Sequence, residues 1–291
     1  WDAICRELEP EIKVMDSFVT WLRRMFKGND ALEVFAGVYM TGILPIKKYN
    51  TESALNNFMD YSMVDPGDMA TYLGFTKEEV KALCQDYGRD YEEMEKWYDG
   101  YIIGSAKAMF NPNSVMTSLY KKSCGSYWAS TGAYDKVATY IEMNYEGLKD
   151  DIISMLAGGR CEVETTGFTN DMHDVRSKDD VFTVLIHLGY LSYDCENKEC
   201  YIPNYEVRGE MENAVKSSGW QVAQTITGSK KLLNATLSCD SNYVAQAIDK
   251  AHDENTSILS YNNENSLACV LTIAYIYAQN DYIIHRELAT G

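Results

Sequence analysis

"SKDDVFTVLIHLGYLSYDCENKECYIPN", residues 177–204, is the stretch on which the reading of the fold turns. Ser177 is placed to cap a helix whose apolar face is Val181, Val184, Leu185 and Leu188. Gly189 stops it. "YLSYD" and "CYIPN" then read as two short strands around the polar tip "ENKE". A helix feeding straight into a β-hairpin is the ending of a winged-helix domain. The pattern predicts that 191–194 and 200–203 pair antiparallel and that a helix over 206–216 leads the chain out.

Most of the remaining chain reads as short helices with clear stops. Residues 12–27 place Ile12, Met15, Val19, Leu22 and Phe26 at helical spacing before Gly28. Thr76 and Glu79 form a capping box that opens 77–87, and Gly88 closes it. A helix over 91–98 is closed by Gly100. Asn111-Pro112 opens another, since Asn caps and Pro gives up an N–H that lacks a helical partner anyway. Further helices are predicted near 133–144, 146–157, 229–237, 242–252 and 265–279, and "YIIHREL" after them is a strand candidate.

"VFAGVYMTG", residues 34–42, is the exception. Its apolar run predicts a buried strand over 34–40 that ends on Thr41-Gly42. Two readings stay open for Thr41: a hydroxyl that bonds its own turn, or a group facing a ligand at the carboxyl edge of a parallel sheet.

The 291 residues are enough for two domains or three small ones, and 46% apolar residues suffice for a packed core. No apolar run approaches membrane-spanning length, so no membrane partner is expected. The start lacks the basic and apolar regions of a signal peptide. The net charge of −17 repels phosphate backbones on average. The eight cysteines form no CxxC pair, which argues against a zinc finger, and reduced thiols point to a cytoplasmic protein. Cys195 and Cys200 bracket the hairpin tip and are placed to face each other. His173 and His187 have no partner at metal-ligand spacing and read as surface or core histidines. "KSCGS" at 122–126 lacks a companion for a nucleophilic dyad. Arg23 and Arg24 read as a solvated helix end.

Several phrases together resemble a known family, the bacterial AAA-ATPase-like proteins fused to a C-terminal PD-(D/E)XK nuclease-like domain. They are "VYMTGILPI", "YLGFTKEEV", "WYDGY", "FNP", "YWASTG" and "IPNYEVR", in the family's order across nearly the whole chain. The resemblance implies an α+β, mainly α fold. Residues 1–60 would be the C-terminal part of a P-loop ATPase-like core, 61–135 a helical lid, and 136–222 a winged helix. Residues 223–291 would hold a helical connector and the first helix and strand of the nuclease-like domain.

The departures limit what this chain is expected to do alone. It has no Gly-rich loop ending in Lys-Ser/Thr to hold phosphates. Trp1-Asp2 resemble the last half of the family's "DEYD" or "DEWD" motif. Of the nuclease acids only Glu287 stands at a matching position, and one carboxylate does not hold a catalytic Mg²⁺. The resemblance implies Thr41 and Asp2 as nucleotide-sensing residues and Glu287 as a catalytic acid. ATP and Mg²⁺ are expected for a longer parent protein, with no cofactor or metal in this chain. The expected partners are the missing parts of the parent and, for the parent, nucleic acid.

The leading functional reading is an inactive central fragment of a nucleic-acid-processing protein. The alternative is a non-catalytic interaction or signalling scaffold built on the winged helix. A DNA-binding regulator is the weakest reading, because only Arg176 and Lys178 accompany the candidate recognition helix.

Overall fold

The computed structural model describes residues 12–27, 31–43, 58–128, 134–143, 145–168, 175–254, 264–282 and 284. The architecture over these residues is mainly helical, with two small antiparallel sheets.

Local chemistry starts several of the helices. Helix α1 spans Ile12–Lys27 and buries Val19 and Leu22, while Arg23 and Arg24 are exposed. A single turn, α2 (Ala31–Val34), follows it. Helix α3 (Lys77–Tyr87) opens on the complete capping box: Glu79 N–H donates to Thr76 Oγ1 at 3.3 Å and Thr76 N–H donates to Glu79 Oε2 at 2.8 Å. Gly88 closes α3 at φ 64°. Asp90 caps α4 (Tyr91–Tyr98), and Asn111 caps α5 (Pro112–Lys121), with Pro112 in the first turn. Such a cap contributes about 1 kcal/mol.

Between α4 and α5 lies a hairpin that helical periodicity did not announce. Strands β1 (Tyr101–Ile103) and β2 (Ala106–Met109) pair antiparallel. Phe75 and Phe110 extend the contact as an isolated bridge, with N–H to O distances of 3.1 and 2.9 Å. The core of this unit is Val80, Cys84, Met94, Tyr98, Phe110, Val115 and Leu119.

Helices α6 (Tyr134–Glu142) and α7 (Leu148–Leu156) precede a short strand, β3 (Cys161–Glu162). Helix α8 (Lys178–His187) then leads into β4 (Ser192–Asp194) and β5 (Glu199–Tyr201). The hairpin expected from the sequence is present, antiparallel, with Ser192 opposite Tyr201 and Asp194 opposite Glu199. Strand β3 adds to the other side of β5, giving the order β3-β5-β4. The cysteine pairing differs from expectation. Cys200 lies opposite Tyr193 and Cys161, while Cys195 is exposed in the tip, because alternation turns Cys200 inward to the core.

Helix α9 (Tyr205–Ser217) is capped by Asn204, whose side chain accepts from Val207 N–H at 3.1 Å. Helices α10 (Val222–Leu237), α11 (Ser241–Glu254) and α12 (Glu264–Ala274) form a further layer around Leu232, Ala251, Val270 and Ala274. The chain tightens into a 3₁₀ turn over Ile276–Asn280. Val222, Ile226, Cys269, Ile273 and Ile276 join the main core formed by α6 to α9 and the three-stranded sheet. Among the described residues no helix is long and apolar enough to cross a membrane.

The strand expected over 34–40 is absent. Residues 35–43 are irregular, and Val34 and Tyr39 are 72% and 80% exposed. No described strand lies alongside to satisfy its backbone groups, and Gly37 weakens an extended run at its centre. Thr41 therefore does not sit at the tip of a core strand. The strand candidate "YIIHREL" falls mostly outside the described residues, with Tyr282 in a bend and Ile284 irregular.

Candidate functional site

The irregular segment 35–43 folds over a cavity of about 740 Å³. Its other walls come from residues 58–63, from Met69 and Leu73, from Phe26 of α1, and from His187 at the end of α8. Thr41 lines this cavity, so the structure joins it to a histidine nearly 150 residues away that spacing alone read as a surface or core histidine. Asp2, Glu287 and His173 lie outside the described residues.

The walls are mostly apolar. Phe26 meets Phe35 and Phe58 edge-on, at ring-centroid distances of 5.6 and 5.7 Å. Met40, Met59, Met63 and Met69 complete a flexible, polarisable lining. Among the polar groups, Ser62 Oγ accepts from Asp65 N–H at 3.1 Å and Tyr61 Oη donates to Met59 Sδ at 2.8 Å. Asp60 is exposed, yet partial desolvation pushes its carboxyl above the usual value.

His187 is the unusual group. It is 6% exposed, stacks near Phe168 with centroids 6.4 Å apart, and its Nδ1 is sealed from solvent with no hydrogen-bond partner. A buried, unsatisfied polar atom costs about 1–3 kcal/mol. Burial also disfavours the imidazolium, taking the pKa down to about 4 from 6.5. The ring is therefore neutral at neutral pH.

That shift fixes a pH dependence. The unfolded histidine takes up a proton below pH 6.5, and folding must strip it off again. Above pH 6.5 His187 costs no protonation energy; between pH 6.5 and about 4 it should erode stability by about 3 kcal/mol, with no further loss below. Asp60, Asp99, Asp179 and Glu212 have raised values from burial and act with the opposite sign. The readout is therefore the difference between wild type and His187→Leu in urea denaturation across pH 4 to 7. The variant should gain on the wild type as pH falls; parallel curves would remove His187 as the cause.

ATP and Mg²⁺, implied for the parent by the resemblance, can be tested against these walls. Among the described residues none lining it is a lysine or arginine, His187 is neutral, and Asp60 adds negative charge. A magnesium triphosphate needs cationic or backbone N–H donors around its phosphates and converging oxygen ligands for the metal. The described cavity residues by themselves do not fit it. Among the described residues no cluster of three or more His, Cys, Asp or Glu is arranged to hold a metal ion.

Two other sequence candidates can be placed. Cys124 of "KSCGS" contacts Ser118 Oγ at 3.4 Å and Arg89 Nη2 at 3.7 Å, but burial pushes its thiol pKa up, away from a nucleophilic thiolate. Lys178 is held by Asp151 at 2.6 Å.

The phrases that carry the resemblance meet on a seam between the α3–α5 unit and the three-stranded-sheet unit. Gly100 of "WYDGY" approaches Pro203 of "IPNYEVR" so closely that an added Cβ would lie 2.0 Å from Pro203 O. Tyr201 Oη donates to Gly100 O at 2.9 Å and Tyr101 Oη to Gly189 O at 2.8 Å. Glu206, only 2% exposed, accepts from the backbone N–H groups of Tyr127 and Trp128 of "YWASTG" at 2.7 and 2.8 Å. Trp97 packs edge-on against Tyr205 at 4.9 Å. Lys96 donates to Asn280 O at 2.9 Å, and Arg208 to Gln279, which ties the seam to the last 3₁₀ turn. Sequence order gave these phrases, but not their convergence. The one local signal was a buried-looking "NYE" opening a helix, where a glutamate stands among apolar neighbours.

Comparison with protein-family models, with curated proteins and with solved structures gave no match.

Proposed function

We propose that this chain is the relay segment of a longer protein in which an AAA-ATPase-like module acts on a PD-(D/E)XK nuclease-like module in nucleic-acid processing. The observation that supports it is the seam. "WYDGY", "YWASTG" and "IPNYEVR" are far apart in sequence, yet their Gly100, Tyr127, Trp128, Pro203 and Glu206 interlock. "YLGFTKEEV" and "FNP" join through the Phe75–Phe110 bridge. A movement of the α3–α5 unit reaches α9 through Glu206, and the last 3₁₀ turn through Lys96 and Arg208. In this reading ATP and Mg²⁺ are bound by the intact protein, Asp2 and Thr41 sense nucleotide, and Glu287 serves the nuclease-like module. The cationic groups for the phosphates come from residues other than the described lining of the Thr41 cavity.

The test uses the intact protein, assayed for Mg²⁺- or Mn²⁺-dependent cleavage of DNA and RNA with and without ATP. Glu287→Gln should abolish cleavage, and Glu206→Gln should blunt the response to ATP while leaving basal cleavage in place. Cleavage undiminished by Glu287→Gln removes that residue from the site.

A second reading, a non-catalytic interaction scaffold, is favoured by α8. All residues from Val181 to His187 are buried, so the helix that a winged-helix DNA reader lays in a groove offers no free face here. No cleavage by the intact wild type, with or without ATP, would favour this scaffold.

A further inference from the structure

Strand register sets two cysteines of the three-stranded sheet face to face. Cys161 on β3 lies directly opposite Cys200 on β5, and both are free thiols. We propose that this pair is a redox-sensitive modification site, at which a small disulfide of the glutathione class oxidises the two thiols to a reversible cross-strand disulfide that clamps β3 to β5.

The geometry carries the proposal. Residues directly opposite on an antiparallel pair send their side chains to the same face of the sheet. Val163 N–H donates to Lys198 O at 2.9 Å two positions along the same register, so Cys161 and Cys200 also occupy a hydrogen-bonded position. The Cα atoms of such a pair are about 5.5 Å apart, within the span of about 4.4–6.8 Å that a disulfide bridges. Both sulfurs meet one face of α7: Cys161 Sγ donates to Asp151 O at 3.4 Å, and Cys200 Sγ to Met155 Sδ, one helical turn on, at 3.9 Å. Burial, and then the nearby Cys161, push the Cys200 thiol pKa up.

The same geometry makes the bond reversible. Cβ atoms of opposite residues sit about 5 Å apart, whereas a disulfide needs about 3.5–4.5 Å, so the strands must draw together by about 1 Å. Strand β3 is free to shift, being two residues long and at the edge of the sheet. A disulfide held under such tension is the readily reduced kind, suited to a switch rather than to a permanent staple. In the reduced fold both thiols are protected. Cys200 is fully buried, and Cys161 is 7% exposed with its pKa pushed up to about 12 by burial. Reaction therefore begins when β3 lifts from the edge. The Cys161 thiolate attacks the small disulfide, which releases one thiol and leaves a mixed disulfide on Cys161. Cys200 then displaces the second thiol. The protein gives up two electrons and two protons, and the small disulfide takes both to become two thiols.

This inference stands apart from the relay reading, because it is read on this chain by peptide mapping, whereas the relay is read by cleavage in the intact protein. The chain is equilibrated in glutathione buffers from fully reduced to fully oxidised, quenched with acid and alkylated, and its peptides are mapped by mass spectrometry. Exposed Cys195 and Cys239 are replaced by serine to remove competing thiols. The oxidised samples should contain one peptide pair joined through Cys161 and Cys200, and the melting temperature should rise by about 5 °C, since the link closes a loop of about 40 residues. Returning the sample to reduced glutathione should reverse both changes. Cys200→Ala should instead accumulate glutathione on Cys161, the mixed disulfide that Cys200 would have resolved. Oxidised samples without the Cys161–Cys200 peptide, or with it only in denaturing urea, would overturn the proposal. So would a link that reduced glutathione cannot reopen. If Cys200→Ala does not fold, the peptide map and the reversibility of the parent chain decide the matter.

Discussion

Gly100→Ala is expected to cost about 4 kcal/mol of stability, from backbone strain and overpacking together. Gly100 has φ of 109°, a region that side chains rarely adopt, and an added Cβ would lie 2.0 Å from Pro203 O and 2.8 Å from Pro203 C. Neither neighbour is a flexible side-chain end. Relief requires moving "IPN" and with it the start of α9, or moving Gly100 and breaking its bond from Tyr201 Oη. The melting temperature should fall by about 10 °C. Gly158→Ala is the control: its φ is 84°, but nothing lies within 4 Å of the added Cβ, so only the strain remains, about 1 kcal/mol. Equal losses in the two variants, measured by urea denaturation, would show that the Gly100–Pro203 approach does not matter.

Glu206→Ala is expected to cost about 3 kcal/mol, because two partly buried backbone N–H groups lose a charge-assisted acceptor at once. Both bonds, from Tyr127 and Trp128, end on the same Oε1. Glu206→Gln keeps that oxygen as an acceptor and loses only the charge, so it should cost about 1 kcal/mol. The graded pair separates a hydrogen-bonding role from lost packing, since Gln and Glu fill the same space. Amide exchange at Tyr127 and Trp128 should accelerate strongly in the alanine variant and mildly in the glutamine one. Unchanged protection in Glu206→Ala would mean that those N–H groups find other partners.

The sequence alone determined the features whose causes lie within a few residues. The capping box at Thr76 and Glu79, the Asn111-Pro112 start and the Ser177 cap are satisfied by groups two or three positions away, so the pattern is sufficient. The hairpin over β4 and β5 was legible for the same reason: alternation on both sides of a short polar tip fixes its own register. The β1–β2 hairpin was missed because each strand is so short that alternation cannot be recognised, although Gly104-Ser105 marks its turn.

Only the tertiary structure decided the rest. "VFAGVYMTG" has the composition of a buried strand, but a strand exists only where a neighbour satisfies its backbone, and no described strand lies beside it. The sequence placed Cys195 and Cys200 to face each other across the tip, whereas strand alternation turned Cys200 toward the core and Cys161. Thr41, Asp60 and His187 share one cavity because α8, the 58–73 segment and the 35–43 segment pack together. Glu206 and Gly100 matter through partners 79 residues and about 100 residues away. Periodicity and capping report what a segment can do by itself; burial, unsatisfied polar atoms and close backbone approach arise only when distant segments meet.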